Sequence, residues 1–259
     1  MCLLLLALNA VADRPWLLLG NRDEFHARPT APAREWADAP GIFGGRDLAA
    51  GGSWLAVNRN GRYAAVTNVR RPDAQAAPRS RGALVGEFVG GDATPTAYVE
   101  TVARERVCYG PFNLVVGDAR GACFVSSIDG KMRTLADGVH AFSNGSLDDE
   151  WPKMRRLQEK FSGLLQSGKV EDEALLDLLH DDARPDDRDL PQTGITLELE
   201  RRLASIFVMP MSVHGDAYGT RASTLAYART DGSHVLCERR YDAVANVAGE
   251  AELALAASA

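Results

Sequence analysis

Two apolar runs at the start of the chain constrain its fold more than any other feature. The first run covers residues 2–9 and the second covers residues 16–20. Asp13 and Pro15 lie between them and are typical of a turn. Short apolar runs bounded by turn residues are typical of strands that are buried on both faces. The sequence therefore predicts a buried β-hairpin whose first strand begins at residue 2.

The remaining strand and helix patterns occur in separate blocks, which is typical of an α+β fold. Asn60-Gly61 predicts the tight turn of a second hairpin, whereas the glycine and proline content of residues 27–52 and 210–219 predicts irregular structure. We expect one domain over residues 1–259, with two mainly antiparallel sheets stacked between helical layers. The predicted strands are 2–9, 16–20, 53–57, 62–68, 112–117, 122–128, 132–142, 205–209, 220–228 and 235–241, and the predicted helices begin near residues 82, 94, 148, 171 and 197.

Composition argues against several classes of function. The net charge of −6 makes nucleic acid or an anionic membrane surface a poor main partner. The four cysteines are widely separated and none has the spacing of a zinc site, so we expect no metal and reduced thiols in a cytoplasmic protein. The opening apolar run is too short to span a membrane and follows no basic segment, so we expect neither an integral membrane segment nor a secretory signal.

Cys2 is the strongest candidate for a catalytic nucleophile. Removal of Met1 would give Cys2 a free α-amine beside its thiol. The reference pKa is about 7.7–8.0 for an α-amine and about 8.5 for a thiol, so the amine can accept the thiol proton near neutral pH. The alternative interpretation is that Cys2 is a small hydrophobic residue in a buried strand. Position alone favours that alternative.

Six short motifs are spread over nearly the whole chain. They are Met1-Cys2, Gly20-Asn21-Arg22-Asp23-Glu24-Phe25, Gly51-Gly52-Ser53-Trp54, Asn60-Gly61-Arg62, Thr67-Asn68 and Phe142-Ser143-Asn144-Gly145. Together they resemble the NRDE family, which contains the transport and Golgi organisation protein 2 homologues. That family in turn is similar to the N-terminal-nucleophile hydrolases, most closely the cysteine-type bile-salt, penicillin-V and acid-ceramidase-like amidases. The resemblance implies a four-layer αββα sandwich.

The resemblance also implies a site of six residues, namely Cys2, Arg22, Asp23, Asn68, Asn144 and Arg221. In such a site the cysteine attacks a carbonyl, and its α-amine carries the thiol proton to the leaving group. The aspartate orients the amine, and one of the two arginines favours the thiolate by its charge. The two asparagines donate hydrogen bonds to the oxyanion.

Each of these residues also has a structural interpretation. Asn144 precedes a glycine, as turn residues do, Asn68 could cap a strand end, and Arg22 could form a structural ion pair with Asp23. The adjacency of Arg22 and Asp23 departs from the hydrolase pattern, in which two residues separate them. Neighbouring side chains in a strand point to opposite faces. Both can therefore face Cys2 only where the strand has ended or bulges.

Two classes of function remain open. The first is a hydrolase of amides or thioesters that acts on a small-molecule acyl compound and needs no cofactor. The second is a non-catalytic protein on the same fold that binds or traffics haem, acyl-coenzyme A or lipid, as the resemblance implies. A redox sensor acting through Cys2 is a weaker third interpretation.

Haem would need an axial ligand and an apolar slot. His214 and Met211 are the first candidates, although this stretch is also typical of a strand end with core methionines. Long polar or glycine-bearing loops often close over a site, so residues 185–193 and 210–219 are predicted to act as lids. The other candidate haem ligands are His26, His140, His180, His234 and Met209.

Overall fold

The computed structural model describes residues 2–146, 148–168 and 170–257. Within these ranges the chain forms fourteen strands and five α-helices. The strands are β1 (Cys2–Val11), β2 (Arg14–Phe25), β3 (Thr30–Trp36), β4 (Ala39–Asp47), β5 (Leu55–Asn58), β6 (Tyr63–Asn68), β7 (Phe112–Asp118), β8 (Gly121–Ser126), β9 (Met132–Leu135), β10 (Gly138–Phe142), β11 (Met211–Val213), β12 (Asp216–Ala228), β13 (His234–Tyr241) and β14 (Val247–Leu255). The helices are α1 (Arg81–Gly90), α2 (Pro95–Glu105), α3 (Pro152–Ser167), α4 (Asp172–Leu178) and α5 (Leu197–Leu203).

The opening hairpin forms where the sequence predicts it. The strands β1 and β2 pair antiparallel, with Cys2 opposite Arg22. Successive residues of β1 alternate between two apolar clusters, so that Leu4 belongs to one and Leu3 to the other. This is why the run is apolar at almost every position rather than at every second one.

The strands form two antiparallel sheets. The first has the order β10-β1-β2-β12-β13-β14, with β11 paired to β12, and the second has the order β3-β4-β5-β6-β7-β8-β9. In the first sheet β1 lies between β10 and β2. Cys2 therefore begins an internal strand, which is flanked on both sides by hydrogen-bonded neighbours.

Three apolar clusters separate four layers. The cluster between the sheets includes Leu4, Leu18 and Phe124. Helices α3 and α4 cover the outer face of the first sheet, and α1 and α2 cover the outer face of the second. The layers run helix, sheet, sheet, helix, which confirms the predicted αββα sandwich. In the described part of the chain, no helix has both the length and the apolar character needed to cross a membrane.

The prediction that residues 27–52 are irregular was wrong, because they form β3 and β4 at the edge of the second sheet. Pro32 lies in β3 next to a register shift that follows Ala31. Proline is tolerated in strands at such edges and bulges. Pro40 and Gly44, whose φ is +155°, interrupt the pattern of β4 in the same way. These residues hid the alternation that identifies a strand.

Three later predictions also differ from the structure. Residues 132–142 form two strands, β9 and β10, in different sheets rather than one strand. Residues 205–209 are not a strand, and the predicted loop 210–219 contains β11 and the start of β12. Its turn has positive φ at His214 (53°) and Gly215 (93°), as a tight hairpin turn requires. The sequence did not predict this turn, because its first position holds a histidine rather than the asparagine, aspartate or glycine typical of such turns.

Candidate active site

Cys2 lies at the start of its strand with the side chain between the two sheets. It belongs to the same cluster as Leu4 and Trp54. Only 6% of its surface is exposed. Burial of this degree fits a small core residue equally well, so the surroundings of the thiol must distinguish the two interpretations.

A cavity of about 250 Å³ opens beside Cys2. Its walls come from both sheets and from the start of α1. Of the six predicted site residues, the cavity is lined by Cys2, Arg22, Asp23, Asn68 and Arg221. Asn144 is the one that does not line it.

Arg22 is a buried cation on the cavity side of β2. It lies opposite Cys2 in the register of the hairpin and is 8% exposed. Its guanidinium is 3.6 Å from the carboxylate of Glu24, and it makes no hydrogen bond to any described residue. Its donors are therefore free to serve a thiolate or an anionic ligand in the cavity.

Asn21 and Asp23 lie on the opposite side of β2, toward the helices. Asn21 donates through Nδ2 to the carbonyls of Leu179 (2.8 Å) and Ile206 (2.9 Å). Asp23 is 2% exposed, and its Oδ1 accepts a hydrogen bond of 2.7 Å from Thr220 Oγ1. Asn21 thus fixes the backbone of the helical layer to β2, while Asp23 is held in one orientation.

The position at which β1 begins explains how adjacent Arg22 and Asp23 can both serve the site. Their side chains take opposite faces, as strand geometry requires, and β2 continues unbroken through them. The bulge lies instead in β12, at Arg221. Pairing between β1 and β2 starts at Cys2, so Asp23 extends past the first residue of β1. Both side chains consequently line the cavity, from opposite faces of the strand.

Arg221 occupies the bulge and uses much of its guanidinium to hold the chain. Its Nη1 donates to the carbonyl of Phe25 and to Thr30 Oγ1, each at 3.2 Å, and also to the carbonyl of Arg28. Nε is buried without a partner among the described residues. Burial and the charge of Arg22 lower the pKa of Arg221. The side chain therefore both anchors the turn after β2 and adds positive charge to the cavity.

The two predicted oxyanion donors are neighbours with different roles in the packing. Asn68 lines the cavity, and its side-chain amide makes no hydrogen bond to a described residue. Asn144 is 1% exposed and donates through Nδ2 to the carbonyl of Asn68 (2.8 Å), while its own carbonyl accepts from the Arg70 N–H (2.7 Å). Asn144 thus fixes the backbone beside the cavity, and its role as an oxyanion donor stays a prediction.

The Gly-Gly-Ser-Trp motif shapes one wall of the cavity. A Cβ on Gly52 would lie 2.3 Å from the carbonyl carbon of Gly82, so only glycine fits this crossing. The Ser53 N–H donates to the carbonyl of Gly82 (3.2 Å). The close crossing brings Trp54 and the first residue of α1, Arg81, to the cavity.

The cavity is rich in arginine, which the sequence did not predict. Besides the two arginines of the proposed site, Arg81 and Arg240 line it without appearing in any motif. Glu238 lies beside Arg240 at 3.7 Å, and burial raises the pKa of this carboxyl. A sequence signal was available in β13, where Glu238, Arg239 and Arg240 follow directly on the apolar residues of the strand. The arginines that line the cavity are Arg22, Arg28, Arg46, Arg81, Arg221 and Arg240, and the carboxylic acids are Asp23, Glu24, Asp47 and Glu238.

The Cys2 thiol is not a preformed thiolate in this environment. Burial raises its pKa, and the negative charge of Asp23 raises it further, while the charge of Arg22 lowers it. Since burial is the largest of these effects, the thiol is protonated near neutral pH. Nucleophilic attack therefore requires a base to take the proton.

The candidate haem ligands lie elsewhere. His214 is exposed at the turn between β11 and β12, whereas Met211 is 6% exposed and packs with Val208 and Tyr218. Among the described residues, no histidine or methionine lines the cavity. Haem binding therefore stays a prediction that this cavity does not favour.

The two predicted lids contribute no residue to the cavity lining. Residues 210–219 form the hairpin of β11 and β12 instead. Asp189 and Thr193, from the other predicted lid, border a separate open groove next to Asn144. The lid prediction was therefore wrong for the cavity beside Cys2.

Comparison with solved structures gives the fold a second, independent description. The mutant C2A conjugated bile acid hydrolase from Clostridium perfringens matches with a TM-score of 0.51 at 10% identity, over 98% of this chain and 92% of that chain. The Caenorhabditis elegans ortholog of N-acylethanolamine-hydrolyzing acid amidase matches with a TM-score of 0.50 at 10% identity, over 87% and 92%. At such low identity the likeness shows the shared sandwich and nothing about substrate.

Proteins of similar sequence show which family this chain belongs to. The Bos taurus transport and Golgi organization protein 2 homolog is 29% identical over 236 residues, which cover 86% of this chain and 85% of the relative. The Homo sapiens homolog is 28% identical over 240 residues, with the same coverage. The family model described as Transport and Golgi organisation 2 matches residues 1–243. The chain therefore belongs to the Transport and Golgi organisation 2 family, as the resemblance of its motifs predicted.

Proposed function

We propose that this protein is an N-terminal-nucleophile hydrolase that cleaves an amide or thioester bond of a small-molecule acyl compound. The observation that carries the proposal is the position of Cys2, at the first residue of an internal strand and beside a cavity of about 250 Å³. Removal of Met1 would place a free amine at that strand start. The fold supports the proposal, since its solved neighbours include one protein named as a hydrolase and one named as an amidase.

The residues around the cavity can share the steps of such a reaction. The α-amine of Cys2 takes the thiol proton, the sulfur attacks the carbonyl carbon, and the oxyanion receives a hydrogen bond from the free amide of Asn68. The amine then gives its proton to the leaving nitrogen or sulfur, and a thioester to Cys2 remains. Water activated by the amine hydrolyses this thioester and regenerates the thiol. Because burial keeps the thiol protonated, the amine is essential in both halves.

The charge of the cavity favours an acyl compound that carries an anionic group. Six arginines face four carboxylic acids there, although the whole chain has a net charge of −6. Glu238 is held toward its neutral form by burial, which increases the positive excess. Arginine donors arranged around a cavity are suited to carboxylate or phosphate groups.

The same charge favours a second candidate, a non-catalytic carrier on this fold. Such a carrier would hold an anionic acyl compound, acyl-coenzyme A or another acidic lipid, without forming a bond to Cys2. Haem is a weaker cargo for this cavity because no described histidine or methionine lines it. The four cysteines are free thiols, which are typical of a reducing compartment, and we place either activity in the cytoplasm.

Covalent adduct formation separates the two candidates. Purified protein is first weighed intact to establish that Met1 has been removed, and is then incubated with a panel of acyl thioesters and acyl amides. A hydrolase gives a mass increase equal to the acyl group. Cys2→Ser should lose this adduct and reduce turnover by at least about a thousand-fold, with thermal unfolding unchanged. Cys108→Ser is the matched control, because Cys108 is the most exposed of the other three cysteines.

Two results would refute the hydrolase. One is a retained Met1, which leaves no free amine on Cys2. The other is saturable binding of acyl-coenzyme A or haem, read by calorimetry or by the haem absorption shift, that is equal in the parent protein and Cys2→Ser and is accompanied by no adduct. The second result would establish the carrier.

A further inference from the structure

Lys153 is a buried lysine for which the proposed reaction has no use. It lies in the first turn of α3, is 2% exposed, and donates from Nζ to the carbonyl of Leu203 at 3.3 Å. The Trp151 ring lies 5.8 Å from the ammonium. Lys153 forms no ion pair with a carboxylate in the described part of the chain. Lysine is rarely buried without a close partner, so this position calls for an explanation.

The helix geometry places Lys153 behind the start of β1. Leu157, one turn further along α3, packs in the cluster that includes Leu3 and thus faces the outer side of the first sheet. Residues four apart share a face of a helix, so Lys153 faces the same side. Asp23 projects from this side of β2. The charge of Asp23 acts on the ammonium.

Asp23, Arg70 and Glu200 are the charged groups that act on Lys153. Arg70, which follows β6, forms a buried ion pair with Glu200 of α5 at 2.6 Å. Tyr218 of β12 donates to the carbonyl of Asp23 at 3.3 Å. The charges of Lys153 and Arg70 both act on Asp23, that of Lys153 more strongly, and Glu200 balances Arg70 at close range.

The charges around Asp23 affect the protonation of the Cys2 amine. The inference rests on the proposed function, because that amine is the base of the proposed reaction. The amine must be neutral to accept the thiol proton. A buried carboxylate beside it would favour the ammonium form and so remove the base. A second cation near the same carboxylate acts in the opposite direction, because two like charges disfavour each other.

We propose that Lys153 is a positioning residue that offsets the charge of Asp23 and thereby keeps the processed amine of Cys2 in its basic form. Asp23 can then orient the amine without trapping its proton. Lys153 itself touches neither the substrate nor the sulfur. It acts through Asp23 from the far side of the sheet.

The sign of the effect is fixed by these charges. Burial lowers the pKa of Lys153 to about 8, and the charge of Asp23 opposes this shift. Lys153 is therefore charged at pH 7, where the offset is needed. Removal of its charge raises the pKa of the amine, so the amine becomes a base only at higher pH.

The test follows the alkylation of Cys2 by iodoacetamide from pH 5.5 to 9.5, with the alkylated residue identified by mass spectrometry. This readout requires no substrate. In Lys153→Met, the rate of alkylation should rise with pH about one unit later than in the parent protein. Lys153→Arg, which keeps the charge, should restore the parent profile. Lys160→Met is the control on the same helix, since Lys160 pairs with Asp181.

Each outcome decides the inference. The inference is supported if the alkylation rate rises at higher pH in Lys153→Met and at the parent pH in Lys153→Arg. A profile unchanged in Lys153→Met, or delayed equally in Lys153→Met and Lys153→Arg, overturns it and leaves Lys153 a packing residue. If Lys153→Met does not give a native circular dichroism spectrum, Lys153→Gln provides the same comparison.

Failure of the inference and failure of the proposed function give different results. If Cys2 with a free amine is not alkylated in the parent protein, or forms no acyl adduct, the hydrolase proposal fails and the inference falls with it. If Cys2 reacts and acylates normally but its pH profile ignores Lys153, the hydrolase stands and only the role of Lys153 is lost.

Discussion

The two faces of the first sheet differ sharply where Cys2 pairs with Arg22. On the cavity face, the side-chain donors of Arg22 and Asn68 make no hydrogen bond to a described residue, and Arg22 lies 3.6 Å from the Glu24 carboxylate. On the helix face, Asn21 makes two hydrogen bonds through Nδ2, and Asp23 accepts one from Thr220. Unsatisfied donors are expensive in a sealed core but useful in a cavity that a ligand enters.

The comparison shows how one short motif can serve both faces. Successive residues of β2 alternate in direction, so the Asn-Arg-Asp-Glu motif sends Asn21 and Asp23 toward the helices and Arg22 toward the cavity. The helix face fixes the backbone and sets the local charge. The cavity face carries the groups that can meet a ligand. Adjacency of arginine and aspartate is thus compatible with a single site.

Removal of one arginine from each face should give the largest contrast. Arg70→Met leaves Glu200 buried at 4% exposure without its 2.6 Å partner, and we expect the free energy of unfolding to fall by about 3–5 kcal/mol. Arg22→Met removes a cation that makes no hydrogen bond to a described residue, and should change stability by less than about 1 kcal/mol. Urea denaturation measures both.

For the rate of Cys2 alkylation, the two variants should rank in the opposite order, with the larger effect in Arg22→Met. Arg22→Met should slow the reaction at pH 7, because the charge of Arg22 lowers the pKa of the thiol. Equal losses of stability in the two variants would contradict the distinction between the faces. Arg188→Met is the control, because Arg188 is exposed at the surface and its loss should change stability by less than about 0.5 kcal/mol.

The two asparagines provide a contrast in function. Asn68→Ala should slow acylation of Cys2 by about 100- to 1,000-fold, as loss of one oxyanion donor does, while stability changes little. Asn144→Ala leaves the carbonyl of Asn68 without its 2.8 Å donor and should destabilise the fold by about 1–3 kcal/mol. Single-turnover acylation and urea denaturation separate the effects. If Asn144→Ala slows acylation as much as Asn68→Ala without loss of stability, Asn144 is itself an oxyanion donor.

Much of the fold could be predicted because its strongest signals are local. The run from Cys2 to Leu8 and the Asn60-Gly61 turn identify the two hairpins without any knowledge of the rest of the chain. The edge strands β3 and β4 could not be identified, because prolines and glycines at bulges break the period of two. Strand β14 was missed as well, because it is mostly exposed and its small alanine and glycine residues give no clear alternation.

The candidate site was only partly predictable, since a sequence does not show what lies across a sheet. Motifs identified Cys2, Arg22 and Asn68, all of which line the cavity. They gave no sign of Arg240, which comes from the fifth strand of the sheet, or of Lys153, which arrives from a helix on the other side. A lysine in an amphipathic helix is normally solvated, so its burial depends on packing that no local pattern records.

The last contrast concerns the cost of burying Lys153. The pKa of a lysine is about 10.4 in an unfolded chain, whereas burial lowers that of Lys153 to about 8. Between these values the unfolded state binds more protons than the folded state, so this residue makes stability rise with pH. Below pH 8 the penalty is complete, and above pH 10.4 it has vanished.

Lys153→Met should therefore be more stable than the parent protein at pH 7, by as much as about 2–3 kcal/mol, and the difference should shrink as the pH approaches 10. Comparison of the two proteins at each pH cancels the other groups that titrate in this range, including the tyrosines. Urea denaturation at pH 7 and pH 10 provides the measurement. A difference that does not depend on pH would mean that burial does not lower the pKa of Lys153, whereas a difference that still grows below pH 7 would mean that the buried lysine is neutral at pH 7, which would remove the basis for its effect on the Cys2 amine. If the difference shrinks toward pH 10 as expected, the chain retains a destabilising charge behind Cys2, and the alkylation profile of Cys2 then tests the role of that charge.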